Sequence, residues 1–282
     1  MPEASLPHDL RAVIFDVNGT LYRQRTLRYA MALRLVRAHL HRPLKGLATM
    51  RILSAYRRGQ EALRDQPGTA DIAEAQLQFA SRETGAGPAA VQATVTRWMD
   101  ESPLDLLASH AQPGMQDFVR DLRGRGMKLG VLSDYPAEAK LAALGVGGLF
   151  DSVLCAQTPE VGVFKPDPRG ILVSLDRLGV AAEHALYVGD RAEVDAVAAH
   201  AAGVACVILT SQKPAHNAGF LNAGFLAVDS FAELGQLISH HFDISSIAQG
   251  LAPQGATLPN SRQPSHARQC ADTSRLPAST TG

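Results

Sequence analysis

The stretch FDVNGTLY, Phe15 to Tyr22, follows the apolar run Ala12-Val13-Ile14 and places an acid, Asp16, where a short strand must stop. Residues 11–17 read as a buried strand, short, rich in Val, Ile and Phe, and closed by polar residues and glycine. The period then changes. From about 24 to 104 apolar side chains recur at three and four, as in Leu27, Met31, Leu35 and Val36, then Leu47, Met50, Leu53 and Leu63, and finally Val91, Val95 and Trp98. This spacing predicts about four helices, with breaks near Pro43, Pro67-Gly68, Gly85 to Pro88 and Pro103.

Beyond Pro113-Gly114 strands and helices alternate. Strands are predicted at 128–133, 151–155, 185–189, 204–209 and 225–228, and helices at about 114–125, 136–144, 168–179, 191–202 and 230–241. Alternation of this kind builds a parallel sheet with helices on both faces, so the strand at 11–17 joins that sheet and the helical segment is an insertion. The reading divides the chain into a core of 10–22 and 105–243, a helical insertion of 23–104, and a tail of 244–282, rich in Ser, Pro, Gln, Thr and Gly, expected to be disordered. GVGG at 145–148 has no strand before it and reads as a helix exit.

Composition narrows the classes. With 46% hydrophobic residues in 282 the chain can bury a large core, and a formal charge of zero gives no bulk attraction to nucleic acid or acidic membranes. The cysteines Cys155, Cys206 and Cys270 stand far apart with no metal-type spacing, and the first two lie in strand-like runs as small buried hydrophobes. No signal segment or run of about 18 apolar residues is present, so a cytoplasmic protein is expected. Charge is uneven: residues 23–64 hold eleven of the 27 Lys and Arg and one acid, Glu61. That block reads either as a solvated helix face or as a basic wall that attracts an anionic substrate.

Ligands of open parallel sheets collect at the carboxyl ends of strands, and four polar stations lie there. They are Asp16 to Thr20, Ser133 with Asp134, Lys165 in VFKPDP, and Asp190 with Asp195 in GDRAEVD. Singly, each reads as a turn, a cap or a surface charge. Jointly they suggest phosphoryl transfer, in which a carboxylate attacks phosphorus and fixed donors stabilise the equatorial oxygens. Asp16 and Asp190 supply the carboxylate pair that Mg²⁺ prefers. Ser133 offers a hydroxyl, Lys165 a point charge, and Gly19 and Thr20 further donors, with Asp134 counted beside Ser133 at the substrate.

In these four stations the sequence resembles the haloacid dehalogenase superfamily of hydrolases, most of whose members are phosphatases. FDVNGTL is similar to its DxDGT motif, LSD to its hydrophobic-hydrophobic-Ser/Thr motif, Lys165 in FKPDP to its Lys motif, and GDRAEVD to its GDxxxxD motif. The resemblance covers about 10–240. It implies an α/β fold, a Rossmann-like doubly wound parallel sheet core carrying an α-helical C1 cap. It implies Asp16 as nucleophile and metal ligand, a backbone ligand at Asn18, Ser133 and Lys165 on the phosphoryl group, Asp190 on Mg²⁺, and Asp195 binding or orienting the metal.

The departure is Asn18, where the family's phosphatases carry a general acid-base Asp. An amide cannot exchange a proton at neutral pH. Losing such help costs roughly 10²- to 10⁴-fold in rate, or about 3–5 kcal/mol of barrier. Three readings follow: a Mg²⁺-dependent phosphatase of a small phosphorylated metabolite, slowed by Asn18; a 2-haloacid dehalogenase, which Asn18 suits but whose branch of the family typically lacks the two metal-site acids that GDRAEVD keeps; and a phosphate- or partner-binding protein. None involves nucleic acid or a membrane, and the tail's partner stays open.

Overall fold

The computed structural model describes residues 6–64, 66, 71–210 and 224–250. At its centre is β1 (Ala12–Phe15), paired in parallel with β2 (Lys128–Ser133) on one side and β4 (Ala185–Gly189) on the other. With β3 (Ser152–Cys155), β5 (Ala205–Leu209) and β6 (Leu226–Val228) the sheet reads β3-β2-β1-β4-β5-β6, and each neighbouring pair is parallel. The chain thus steps outward from β1 to β3 and returns across the sheet to β4. The direction of winding reverses between β1 and β4, and that reversal opens a crevice above their carboxyl ends.

Every side chain of β1 is buried, and alternate residues serve opposite faces. Val13 and Phe15 pack with Leu129, Val131 and Val188 under α6 (Met115–Gly124), α7 (Glu138–Ala143) and α10 (Phe231–Gly250), through Phe118, Leu141 and Phe231. Ala12 and Ile14 join Leu132, Tyr187 and Ile208 under α8 (Arg169–Leu178) and α9 (Val197–Ala201), through Ile171, Leu175 and Ala199. Two-sided burial explains why the strands read as continuous apolar runs. Cys155 and Cys206 are buried and unbridged, as expected, while Cys270 lies outside the described residues.

The inserted segment forms α1 (Gln24–Ala38), α2 (Pro43–Arg64), α3 (Ile72–Thr84) and α4 (Pro88–Val95), the last continuing as a π-helical stretch, Thr96–Glu101. Local chemistry sets the ends. Asp71 caps α3 by accepting from the Glu74 amide, Gly85 ends it in a left-handed conformation, and Pro88 opens α4. The break at Pro67-Gly68 lies outside the described residues. A seven-residue helix, α5 (Leu104–His110), returns the chain to the core, where the sequence reading has only a break at Pro103. LDLLASH spans barely two turns, too few for a helical period to register. Likewise α10 runs to Gly250, past the core boundary at 243; of the expected tail, residues 251–282 lie outside the described residues. No helix among the described residues is long and apolar enough to cross a membrane.

Tyr135, from the loop after β2, plugs the cap's own core of Ile52, Tyr56, Ala80, Val91 and Val95. Its hydroxyl donates to Gln60 Oε1 at 2.6 Å and accepts from Gln76 Nε2 at 3.0 Å. Tyr135→Phe would leave the Gln60 oxygen buried without that donor, so urea denaturation should show a loss of about 1–3 kcal/mol. An unchanged midpoint would mean that water replaces the phenol.

Candidate active site

The chain leaves β1 at Phe15 and turns at once, so Asp16 stands on the crevice floor, 4% exposed. The turn depends on Gly19, at φ +106°, where a Cβ would lie 1.9 Å from Asp190 Oδ2. Only glycine lets the Asp190 carboxylate, from the end of β4, approach the turn after β1 this closely. Thr20 is fully buried and donates to Asp16 Oδ2 at 3.3 Å. The second close approach is at Gly189, where a Cβ would strike Asp195 at 2.5 Å. The π-helical turn Ala192–Ala196, where the sequence suggests an ordinary helix start, swings Asp195 back beneath β4.

Lys165 is the hub. Its Nζ donates to Asp16 Oδ1 at 2.6 Å, to Asp195 Oδ1 at 2.7 Å and to the Tyr187 hydroxyl at 3.0 Å. Asp195 Oδ2 accepts from the amides of Asp190 and Arg191 at 3.1 and 3.0 Å. Burial disfavours the Lys165 charge, yet Asp16 and Asp195 outweigh it and hold its pKa well above the ordinary lysine value. Burial also opposes the Asp195 charge, but Lys165 and the two amides pull that carboxyl below its usual range. Asp16 has less support: burial, with Asp195 nearby, raises it to about 6 despite Lys165. Asp190 has least. Burial, then the charges of Asp16 and Asp195, push it to about 8.

Three carboxylates therefore share one ammonium, and formal charges leave two negatives in excess. This donor set fits a divalent cation. Asp195 has both oxygens committed, which leaves Asp16, Asp190 and a backbone carbonyl such as that of Asn18 as the oxygens that could hold an ion, the sparse oxygen set typical of Mg²⁺. No three His, Cys, Asp or Glu side chains among the described residues form a metal cluster by themselves.

Asn18 faces Ser133. Its Nδ2 donates to Ser133 Oγ at 3.4 Å, and its Oδ1 accepts from the Tyr22 hydroxyl at 2.7 Å. Ser133 Oγ also accepts from the Tyr135 amide at 3.3 Å, which leaves its own proton free for a ligand. Burial raises the Tyr22 pKa, so the phenol stays a donor. Asp134 is placed differently. Its Oδ2 accepts from Arg64 Nη2 at 2.6 Å and Gln60 Nε2 at 2.7 Å, both from α2, while Oδ1 is buried without a hydrogen-bond partner. Arg64 Nη1 also donates to the Lys165 carbonyl. Arg64 Nε lies 3.1 Å from Glu61 Oε2 without hydrogen-bond geometry, so we count that contact as Coulombic only.

The structure thus brings Asp16, Asn18, Gly19, Thr20, Ser133, Lys165, Asp190 and Asp195 around one crevice and turns the Asp134 side chain toward the cap. Sequence reasoning missed Tyr22, Arg64 and Tyr187. Tyr22 lay in the opening stretch, four residues from Asn18; Arg64 was one cation among eleven, and Tyr187 one apolar position of a buried strand.

Asp190 yields a stability prediction for the metal-free protein. Its folded-state pKa lies above the ordinary 3.8. The folded form then binds the extra proton, and its stability falls as pH rises from about 4 through about 8. Asp190→Asn should flatten that loss and raise the melting temperature near pH 8.5 in chelator by roughly 2–4 °C per kcal/mol recovered. Equal pH dependence in both proteins would show Asp190 to be solvated.

The chain is similar to known proteins. The chain is 34% identical over 161 residues to phosphoglycolate phosphatase of Rhodospirillum rubrum, a match covering 55% of this chain and 64% of that protein. It is 30% identical over 203 residues to glyceraldehyde 3-phosphate phosphatase of Methanopyrus kandleri, covering 70% and 83%. A 2-haloacid dehalogenase from Pseudomonas syringae pv. Tomato shares the fold at TM-score 0.58 and 20% identity, over 82% of this chain and 99% of that one. The family model for haloacid dehalogenase-like hydrolases matches residues 10–203, the span that contains both the helical cap and all four polar stations, and the chain belongs to that family.

Proposed function

We propose that the chain is a Mg²⁺-dependent phosphatase of a small phosphorylated metabolite, working through a phospho-Asp16 intermediate and slowed by Asn18. The observation that carries this reading is the buried Asp16–Lys165–Asp195 arrangement, with Asp190 pressed beside it and no ammonium of its own. Relatives named for phosphoglycolate and glyceraldehyde 3-phosphate support a phosphate-ester substrate, although the first is matched over less than two thirds of its length.

Asp16 attacks phosphorus, the ester oxygen departs, and water then cleaves the acyl-phosphate. Lys165 fixes Asp16 and offers charge to a phosphoryl oxygen, and the free Ser133 proton reaches another. Asp16, the Asn18 carbonyl and Asp190 would hold Mg²⁺, which would supply charge neutralisation for the phosphoryl oxygens. Asn18 orients but moves no proton, and the Tyr22 phenol that binds it is too weak an acid to take over. Leaving groups that depart without a proton, such as acyl and aryl phosphates, are therefore favoured. The dehalogenase reading is consistent with Asn18, yet it leaves the excess charge at Asp190 without a use.

Asn18→Asp should raise kcat on an alkyl phosphate by roughly 10²-fold or more, with a smaller gain on p-nitrophenyl phosphate. Asp16→Asn should release no phosphate. Halide release from a 2-haloacid by the wild type, with no metal-dependent gain in Asn18→Asp, would replace this reading with the dehalogenase one.

A further inference from the structure

The phosphoryl site is only the floor of a chamber of about 870 Å³ between core and cap. That is near the top of the roughly 300–1,000 Å³ typical of sites for drug-sized ligands. A two- or three-carbon phosphate would leave most of it to water. Its cap side is apolar, with Met31, Leu35, Leu53, Trp98 and Met99 facing the cleft.

Three cations line the cleft beside that wall, two from the cap and one from the core. Of the basic block in 23–64, Arg34 pairs with Asp105, Arg58 with Glu83, and Arg64 with Asp134. Arg28 and Arg57 line the cleft with no hydrogen bond or ion pair to any described residue. Lys140, from α7, is 6% exposed, lines the same cleft and makes neither kind of contact; its ammonium lies 5.9 Å from the Tyr135 ring centroid, and Asp100 is the acid whose charge bears on it most, without forming an ion pair. Burial, then the Arg28 charge, lowers the Arg57 pKa, although its side chain stays open to the cleft. A buried ammonium without an ion-pair partner is costly unless a ligand completes it. A carboxylate answers that need at less desolvation than a second phosphate dianion would.

We propose that the cleft takes a phosphate monoester whose organic part has an apolar body of more than three carbons and a carboxylate seated against Lys140, Arg28 and Arg57. The inference rests on the phosphatase reading for its phosphoryl end alone. The apolar body lies along Met31, Leu35 and Trp98, and Lys140 and the two arginines select the carboxylate.

Non-hydrolysable phosphonates test this without turnover. Calorimetry on the full chain with Mg²⁺ would compare 4-carboxybenzylphosphonate, benzylphosphonate and phosphonoacetate. The first should bind at least tenfold tighter than the others, and in Lys140→Met and Arg57→Gln its advantage over benzylphosphonate should shrink to about twofold or less. Arg57 is exposed, so Arg57→Gln should melt with the wild type, which separates lost binding from lost folding, and Lys140→Met, which also takes from Asp100 the cation that offsets its burial, is read beside it. If all three phosphonates bind without preference for the carboxylate, or phosphonoacetate binds best, the inference fails and the phosphatase reading stands. If none binds, both fail.

Discussion

A single ammonium, Lys165 Nζ, lies between two buried carboxylates from distant parts of the chain, Asp16 after β1 and Asp195 after β4. Removing one member of a buried ion pair typically costs about 3–5 kcal/mol, because the remaining charge is stranded. Here two carboxylates would be stranded at once. The same contact ranks their acidities. Asp195 receives two backbone amides in addition and is held ionised, which fixes Lys165. Asp16 receives fewer bonds, and its Oδ2 is held by the Thr20 hydroxyl at a long 3.3 Å.

Local backbone chemistry makes this charge cluster possible. Gly19 and Gly189 remove the Cβ atoms that would otherwise hold Asp190 and Asp195 away, and the reversal of winding between β1 and β4 puts both acids over one crevice. Above it, the cap is tied down by polar contacts, Arg64 and Gln60 to Asp134 and Tyr135 to Gln60. Asp134 thus joins the loop that positions Ser133 to the helix that roofs the cleft.

Much of this was legible in the sequence because it rests on strong local signals. β2 and β4 begin and end where their apolar runs do, at 128–133 and 185–189. β1 is shorter than its run: the Asp16 amide still donates to the Val188 carbonyl of β4 at 2.9 Å, and the chain turns away after it. The four polar stations follow from strand ends and come together in the crevice. The contacts that read poorly depend on tertiary placement. Nothing in a row of arginines separates Arg64, which reaches Asp134, from Arg28, which reaches no carboxylate among the described residues, and nothing in KLAALG marks Lys140 as buried in a cleft.

The account turns on Asp16 carrying the phosphoryl group while Asn18 withholds proton transfer. Acid quenching of the wild-type protein mixed with acetyl phosphate and Mg²⁺, followed by peptide mass mapping, tests this directly. The account predicts a phosphoryl group on Asp16 that persists longer than in Asn18→Asp. A phosphoryl group on another residue, none at all, or equal lifetimes in the two proteins would contradict it.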